Sequence, residues 1–170
     1  GALRMNAGAY GGEMKQIVES AEVLTSEGEV LNLTNEELGM GYRTSVIAKN
    51  DYVALSAVLK LEKGDRQEIR AYMEDLKERR VTKQPLEFGS AGSTFKRPAA
   101  GIAAKMIDEA GLKGYTVGGA QVSEKHAGFV INRGGATCSD VLKLMDHVQT
   151  VVEERTGIRL EPEVRILGED

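Results

Sequence analysis

The spacing of apolar residues divides the chain at about residue 62. Before it, the apolar runs are short and extended. Ala21-Glu22-Val23-Leu24 and Val30-Leu31-Asn32-Leu33 flank a turn at Ser26-Glu27-Gly28-Glu29, and residues 51–60 (DYVALSAVLK) form a β-branched apolar run that reads as a buried strand. Thr34 and Glu37 have the Thr-x-x-Glu spacing of a capping box, which predicts a brief helical turn stopped by Gly39 and Gly41. These strands are too few for a sandwich or barrel of their own. They read as the tail of a sheet whose other strands are missing.

After Glu62-Lys63-Gly64-Asp65 the period lengthens. Ile69, Tyr72, Met73 and Leu76 fall at i, i+3, i+4 and i+7, the apolar face of a helix whose other side is charged. A glycine-rich strand and turn follow at Gly89-Ser90-Ala91-Gly92-Ser93-Thr94-Phe95. Pro98 is placed to open the next helix, lined by Ile102, Met106, Ile107 and Ala110 and ended by Gly111. Strands are expected at 119–123 and 128–132. The longest helix starts near Thr137 to Asp140, runs Val141, Leu144, Met145, Val148, Val151 and Val152 down one side, and stops at Gly157. Alternation over 158–167 predicts a last strand with Leu160, Val164 and Ile166 on one side. From Gly92 onward the order is β-α-β-β-α-β, the split βαβ arrangement. The expected class is α+β: a partial β-rich domain over 1–61, then a split βαβ-type domain over 62–170.

Composition narrows the function classes. Hydrophobic residues make up 41% but aromatics only 5%, with no Trp, so the core must be aliphatic. The 22 basic and 26 acidic residues give a net charge of −4 with no long run of one sign, which argues against a nucleic-acid surface and leaves room for a local basic pocket. The single cysteine, Cys138, cannot form an internal disulfide and fits a reducing compartment. No apolar stretch approaches the ~20 residues needed to span a bilayer. The first residues lack the basic and apolar regions of a signal peptide. A cytoplasmic protein without membrane partners is the expectation.

The candidate chemistry is only partly specified by residue type. The small-residue run Asn6-Ala7-Gly8-Ala9-Tyr10-Gly11-Gly12-Glu13 lets backbone lie against a flat or phosphorylated cofactor, although a tight turn without a ligand is the simpler reading. Ser93 has Lys96 and Arg97 nearby, and adjacent positive charge helps a hydroxyl give up its proton. A strand-end serine beside solvated cations is the simpler reading. Glu163 and Arg165 share the polar side of the last strand, an arrangement more common for a surface pair than for catalysis. Arg43 is an anion ligand or merely exposed. Neither His126 nor His147 has metal-ligand spacing; His147 reads as solvent-facing and His126 lies in a short connection. Cys138 reads as part of a helix start.

Taken together, these segments resemble the UDP-N-acetylenolpyruvoylglucosamine reductase (MurB) family. The resemblance rests on Met5-Asn6-Ala7-Gly8-Ala9-Tyr10-Gly11-Gly12-Glu13, on Gly41-Tyr42-Arg43-Thr44-Ser45, and on Gly89-Ser90-Ala91-Gly92-Ser93-Thr94-Phe95-Lys96-Arg97-Pro98. It continues through Gly118-Gly119-Ala120-Gln121-Val122-Ser123 with His126-Ala127-Gly128-Phe129, and Leu160-Glu161-Pro162-Glu163-Val164-Arg165. All occur in the family's order.

The resemblance implies a flavoenzyme in which NADPH reduces FAD and the enolpyruvyl double bond of UDP-N-acetylglucosamine enolpyruvate is then reduced to UDP-N-acetylmuramate, in peptidoglycan precursor synthesis. By motif match Ser93 is the proton donor, with Arg43 and Glu163 as its active-site partners. Lys83, Arg97 and His126 lie near the UDP-sugar. Asn6, Ala7, Gly8, Ala9, Tyr10, Gly11 and Gly12 lie along the flavin. Residues 1–61 are then the C-terminal part of the FAD-binding domain and 62–170 the substrate domain. The shortness of the chain between Leu59 and Glu87 implies the subtype without a lid loop. The family's N-terminal FAD-binding lobe has no counterpart here, so these 170 residues are expected to bind flavin weakly or not at all and not to turn over. A stand-alone UDP-sugar-binding module without redox activity is the alternative. A flavoprotein with a different substrate cap is a weaker one.

Overall fold

The structure is a computed structural model and describes residues 1–168. It comprises two compact units, residues 1–73 and 74–170, and the division falls inside one helix.

In the first unit a two-residue hairpin, β1 (Gly8–Ala9) and β2 (Gly12–Glu13), precedes a 3-10 turn at Met14–Gln16. Tyr10 and Gly11 at its tip have φ of 52° and 85°, the pair of positive values that a type I′ turn requires. A three-stranded antiparallel sheet follows in the order β4 (Val30–Thr34), β3 (Val18–Leu24), β5 (Val53–Leu59). Its central strand buries Val18, Ala21 and Val23 against Leu38, Met40 and Ile47, the last on the short helix α1 (Val46–Lys49). The Thr34–Glu37 capping pair forms reciprocally, with the Glu37 carboxylate accepting from Thr34 N at 2.8 Å and Thr34 Oγ1 accepting from Glu37 N at 3.3 Å. The strand expected at 51–60 is present, but it is not buried. Every residue of β5 is exposed, because it is an edge strand whose faces no described element covers.

Helix α2 (Arg66–Lys83) spans the division, and its expected apolar face is also open: Ile69, Tyr72 and Met73 are exposed and Leu76 is half-buried. Periodicity identifies which face a helix would bury, not whether something is there to bury it.

The second unit is a four-stranded antiparallel sheet in the order β6 (Gly89–Ser93), β9 (Phe129–Asn132), β8 (Ala120–Val122), β7 (Thr116–Val117). Helices α3 (Ala103–Glu109) and α4 (Cys138–Thr156) supply much of its aliphatic core. Ile107, Leu144, Met145, Val148 and Val152 pack there with Ala120, Val122, Val130 and Leu160. The α4 face is the one the sequence predicts, and so are its ends. Thr137 Oγ1 accepts from Asp140 N at 3.1 Å while the Asp140 carboxylate accepts from Thr137 N at 2.9 Å, and Gly157 closes the helix at φ 71°.

Three local expectations change. Helix α3 starts at Ala103, not Pro98, because the Pro98 carbonyl accepts from Gly101 N at 3.2 Å in a turn and Ile102 is still extended. The two-residue strand β7 was not foreseen; it pairs with β8 across Gly118-Gly119. The last strand expected over 158–167 reduces to one bridge, Phe95 with Pro162. The Thr94 N–H donates to Gly128 O and not onward to this segment, and only Leu160 of the expected inward set is fully buried, Ile166 being 63% exposed. The class remains α+β.

Candidate functional site

Strand β6 is interrupted where the chemistry is expected. Its register with β9 slips between Ser90 and Ser93, and Gly92 at φ 84° takes the left-handed conformation that the bulge requires. Beyond the bulge Ser93 pairs with Phe129 and is exposed, whereas Thr94 is buried. Thr94 is the hub of the region. Its N–H donates to Gly128 O at 2.8 Å, its Oγ1 accepts from Val130 N at 3.0 Å, and its carbonyl accepts from Glu163 N at 2.8 Å.

The same network reaches His126. Buried Ser123 Oγ accepts from the N–H groups of Lys125 and His126, both at 3.2 Å, which shapes the turn. His126 Nδ1 then accepts from Gly128 N at 3.1 Å, and its ring meets Phe129 edge-on at 4.9 Å. A chain of hydrogen bonds therefore runs from the His126 ring through Gly128 and Thr94 to Glu163. Ser93 is the covalent neighbour of its central member. Lys96 N donates to Glu161 O at 2.8 Å and its ammonium pairs with the Glu161 carboxylate, setting exposed Arg97 at the edge of the same segment.

Ser93, Glu163 and His126 are thus carried by one network, although 70 positions separate Ser93 from Glu163, and Arg97 follows Lys96 on the adjoining segment. Lys83 ends α2 and is exposed. Arg43 and residues 6–12 belong to the first unit.

Burial pushes the His126 imidazole below its ordinary pKa of 6.5; a backbone hydrogen bond opposes that shift and the charge of Lys113 reinforces it. A histidine held neutral in the fold contributes stability that is complete above pH 6.5 and is lost as pH falls through its lowered folded pKa. His126→Asn keeps an acceptor for Gly128 N but has no proton to gain. Thermal unfolding followed from about pH 8 to about pH 5 should show wild type losing more stability than this variant. Parallel losses would exclude His126 as the source.

In the first unit Arg43 sits in a turn closed by Gly41 N donating to Thr44 O at 3.0 Å and Thr44 N donating to Gly41 O at 3.2 Å. Its φ of 54° is the positive value that the third position of a type II turn needs, and its guanidinium lies 5.2 Å from the Tyr42 ring centroid. The 8–12 hairpin exposes Ala9, Tyr10, Gly11 and Gly12, and a Cβ built on Gly11 would meet nothing within 4 Å. Backbone there is open to a flat ligand. Asn6 differs from its neighbours: it is buried and its amide is turned inward.

Several features escape sequence reading. Thr94 carries no chemical signal, yet it organises the region. His147 stacks on Tyr115 at 4.1 Å rather than facing solvent alone. A cleft of about 130 Å³ is lined by Phe88, Gln121, Lys125, Ile131 and Arg133 among others, and the Arg133 guanidinium lies over the Phe88 ring at 4.7 Å. Among the described residues no group of three or more His, Cys, Asp and Glu could hold a metal ion, and no helix is long and apolar enough to cross a membrane.

Residues 84–167 match the family model described as UDP-N-acetylenolpyruvoylglucosamine reductase, C-terminal domain. Over all 170 residues the chain is 56% identical to the UDP-N-acetylenolpyruvoylglucosamine reductase of Clostridioides difficile strain 630, of which it covers 56%. It is 55% identical to that of Pediococcus pentosaceus, covering 57% of that protein. The chain therefore spans about half the length of the curated relatives it matches. The crystal structure of UDP-N-acetylenolpyruvylglucosamine reductase (MurB) from Thermus caldophilus superposes with a TM-score of 0.84 at 36% identity, over 97% of this chain and 58% of that one. The chain carries the C-terminal domain of the UDP-N-acetylenolpyruvoylglucosamine reductase (MurB) family.

Proposed function

We propose that this chain is the acid–base and substrate-handling part of a reductase that converts UDP-N-acetylglucosamine enolpyruvate to UDP-N-acetylmuramate in peptidoglycan precursor synthesis. The observation that carries the reading is the network joining His126, Thr94 and Glu163 around the bulge that exposes Ser93. The relatives' names supply the reaction. Residues 62–170 hold the UDP-sugar and residues 1–61 belong with the flavin. We assign the reaction to the cytoplasm, in keeping with a single unpaired cysteine.

FAD, when bound and reduced by NADPH, would supply the hydride. The open backbone of residues 7–12 is suited to lie along its ring system. Reduction of the enolpyruvyl double bond places negative charge on the substrate's carboxylate side and leaves one carbon in need of a proton. Ser93 Oγ gives that proton. Arg43 and Glu163 are assigned to stabilising or polarising the enolate carboxylate. Lys83 and Arg97 are cations for the UDP diphosphate. His126, with Nδ1 already accepting from Gly128, has Nε2–H left to donate to the nucleotide sugar.

Two measurements test this. The complete protein carrying this chain should consume NADPH only when UDP-N-acetylglucosamine enolpyruvate is added. Titrating UDP-N-acetylglucosamine into the 170-residue chain should shift the backbone amide resonances of Lys83, Arg97 and His126. Binding without any substrate-dependent NADPH consumption by the complete protein would favour a UDP-sugar-binding module instead.

A further inference from the structure

We propose that Asn6 is a positioning residue, which clamps the turn bearing Arg43 onto the 8–13 hairpin. The inference rests on the role given to Arg43 above and extends it to a residue whose side-chain amide is bonded within the protein.

Asn6 is only 1% exposed, and its carboxamide is fully engaged. Its Nδ2 donates to Glu13 Oε2 at 2.7 Å and to Gly41 O at 3.1 Å, while its Oδ1 accepts from Lys15 N at 2.8 Å. A primary amide has two N–H donors, and both are used. One holds the hairpin through Glu13, whose backbone pairs with Gly8. The other holds the first residue of the Arg43 turn. Gly41 O also receives Thr44 N, so the carbonyl that closes the turn is the one Asn6 grips.

The turn needs an external hold. Arg43 lies at φ 54°, where a residue with a Cβ is disfavoured by roughly 1–2 kcal/mol. Asn6 is itself at φ 44°, a conformation that asparagine tolerates better than most residues and one that belongs to the inward aim of its amide. Strained residues of this kind persist only where surrounding contacts over-determine them. Here the contacts join two segments 35 positions apart, one proposed to lie along the flavin and the other to carry the cation for the substrate's charge. The consequence is mechanical: the hairpin and the Arg43 turn are held as one piece.

Asn6→Asp is the informative variant. It keeps an acceptor for Lys15 N and tolerates the same backbone conformation, but it cannot donate to Gly41 O and sets a carboxylate against Glu13. The double variant Asn6→Asp with Glu13→Gln restores the 6–13 hydrogen bond with reversed polarity and removes the like-charge contact, so it keeps the fold testable. The link to Gly41 stays broken in both. In the 170-residue chain, hydrogen exchange at Gly41 and Thr44 N–H should quicken by about 10-fold or more in both variants. Exchange in α4 should not change. In the complete enzyme, kcat for substrate reduction should fall by about 10–100-fold with a smaller change in KM.

Unchanged exchange at the turn, or full recovery of kcat in the double variant, would overturn the proposal. Arg43→Ala in the same assay separates the two claims. If it is as fast as wild type, the role of Arg43 fails. If it is slow while both Asn6 variants are fast, the positioning by Asn6 fails and the Arg43 reading stands.

Discussion

Under the proposed function, Ser93→Ala in the complete protein is expected to leave flavin reduction by NADPH at the wild-type rate and to slow substrate reduction by about 10²–10⁴-fold, the usual contribution of a positioned proton donor. The selectivity follows from where the serine sits. Ser93 follows a glycine bulge and is exposed, so deleting its hydroxyl opens no core cavity. The neighbouring Thr94, which does organise the fold through its hydroxyl and both backbone groups, is untouched. The loss should therefore appear in the chemical step and not in stability. Stopped-flow recording of flavin absorbance gives each half-reaction separately. Equal slowing of both would remove Ser93 from the proton-transfer role and leave it a structural part of the strand.

Local features were legible in the sequence, and relational ones were not. The α4 helix was readable from its apolar face to its caps, because Thr137, Asp140 and Gly157 act on backbone within a turn of themselves. The Thr34–Glu37 pair is readable for the same reason, even though it closes a turn and no helix forms. Burial was less accessible. Residues 53–59 have the composition of a covered strand, yet β5 is an edge with both faces open. The final strand reduces to the single Phe95–Pro162 bridge because the Thr94 N–H donates to Gly128 O and not onward to that segment, a tertiary choice that alternation does not show.

The site divides in the same way. No spacing rule links Ser93 to Glu163, since a backbone bond through Thr94 joins them across 70 positions, and only the resemblance named both. The 6–12 run was identifiable as backbone suited to a flat ligand. That Asn6 turns its amide inward depends on a left-handed φ, which residue type permits without dictating.

Gly119→Ala should destabilise the second unit by about 3 kcal/mol. A Cβ there would lie 2.5 Å from Ala136 N, 2.7 Å from Ala136 Cα and 2.7 Å from Gly134 O. All three are backbone atoms, so no side-chain rotation can relieve the contact, and the 133–136 segment has to move. That segment is held on both sides: Asn132 Oδ1 accepts from Gly134 N at 2.8 Å and from Ala136 N at 3.2 Å, and Gly119 O accepts from Arg133 N at 2.8 Å. It leads straight into Thr137, so moving it also disturbs the α4 cap, an interaction commonly worth about 1 kcal/mol. Gly135→Ala is the control. Its Cβ would meet nothing within 4 Å, but its φ of 66° disfavours a side chain, and roughly 1–2 kcal/mol is expected from that alone. Hydrogen exchange of the Val148 and Val152 amides reads the unit in which both changes sit. About 3 kcal/mol corresponds to roughly a 10²-fold increase in their opening, against about 10-fold for the control. If the two variants cost the same, steric contact at Gly119 is not what the Gly118-Gly119 pair is for, and the glycines would have to be explained by turn conformation alone.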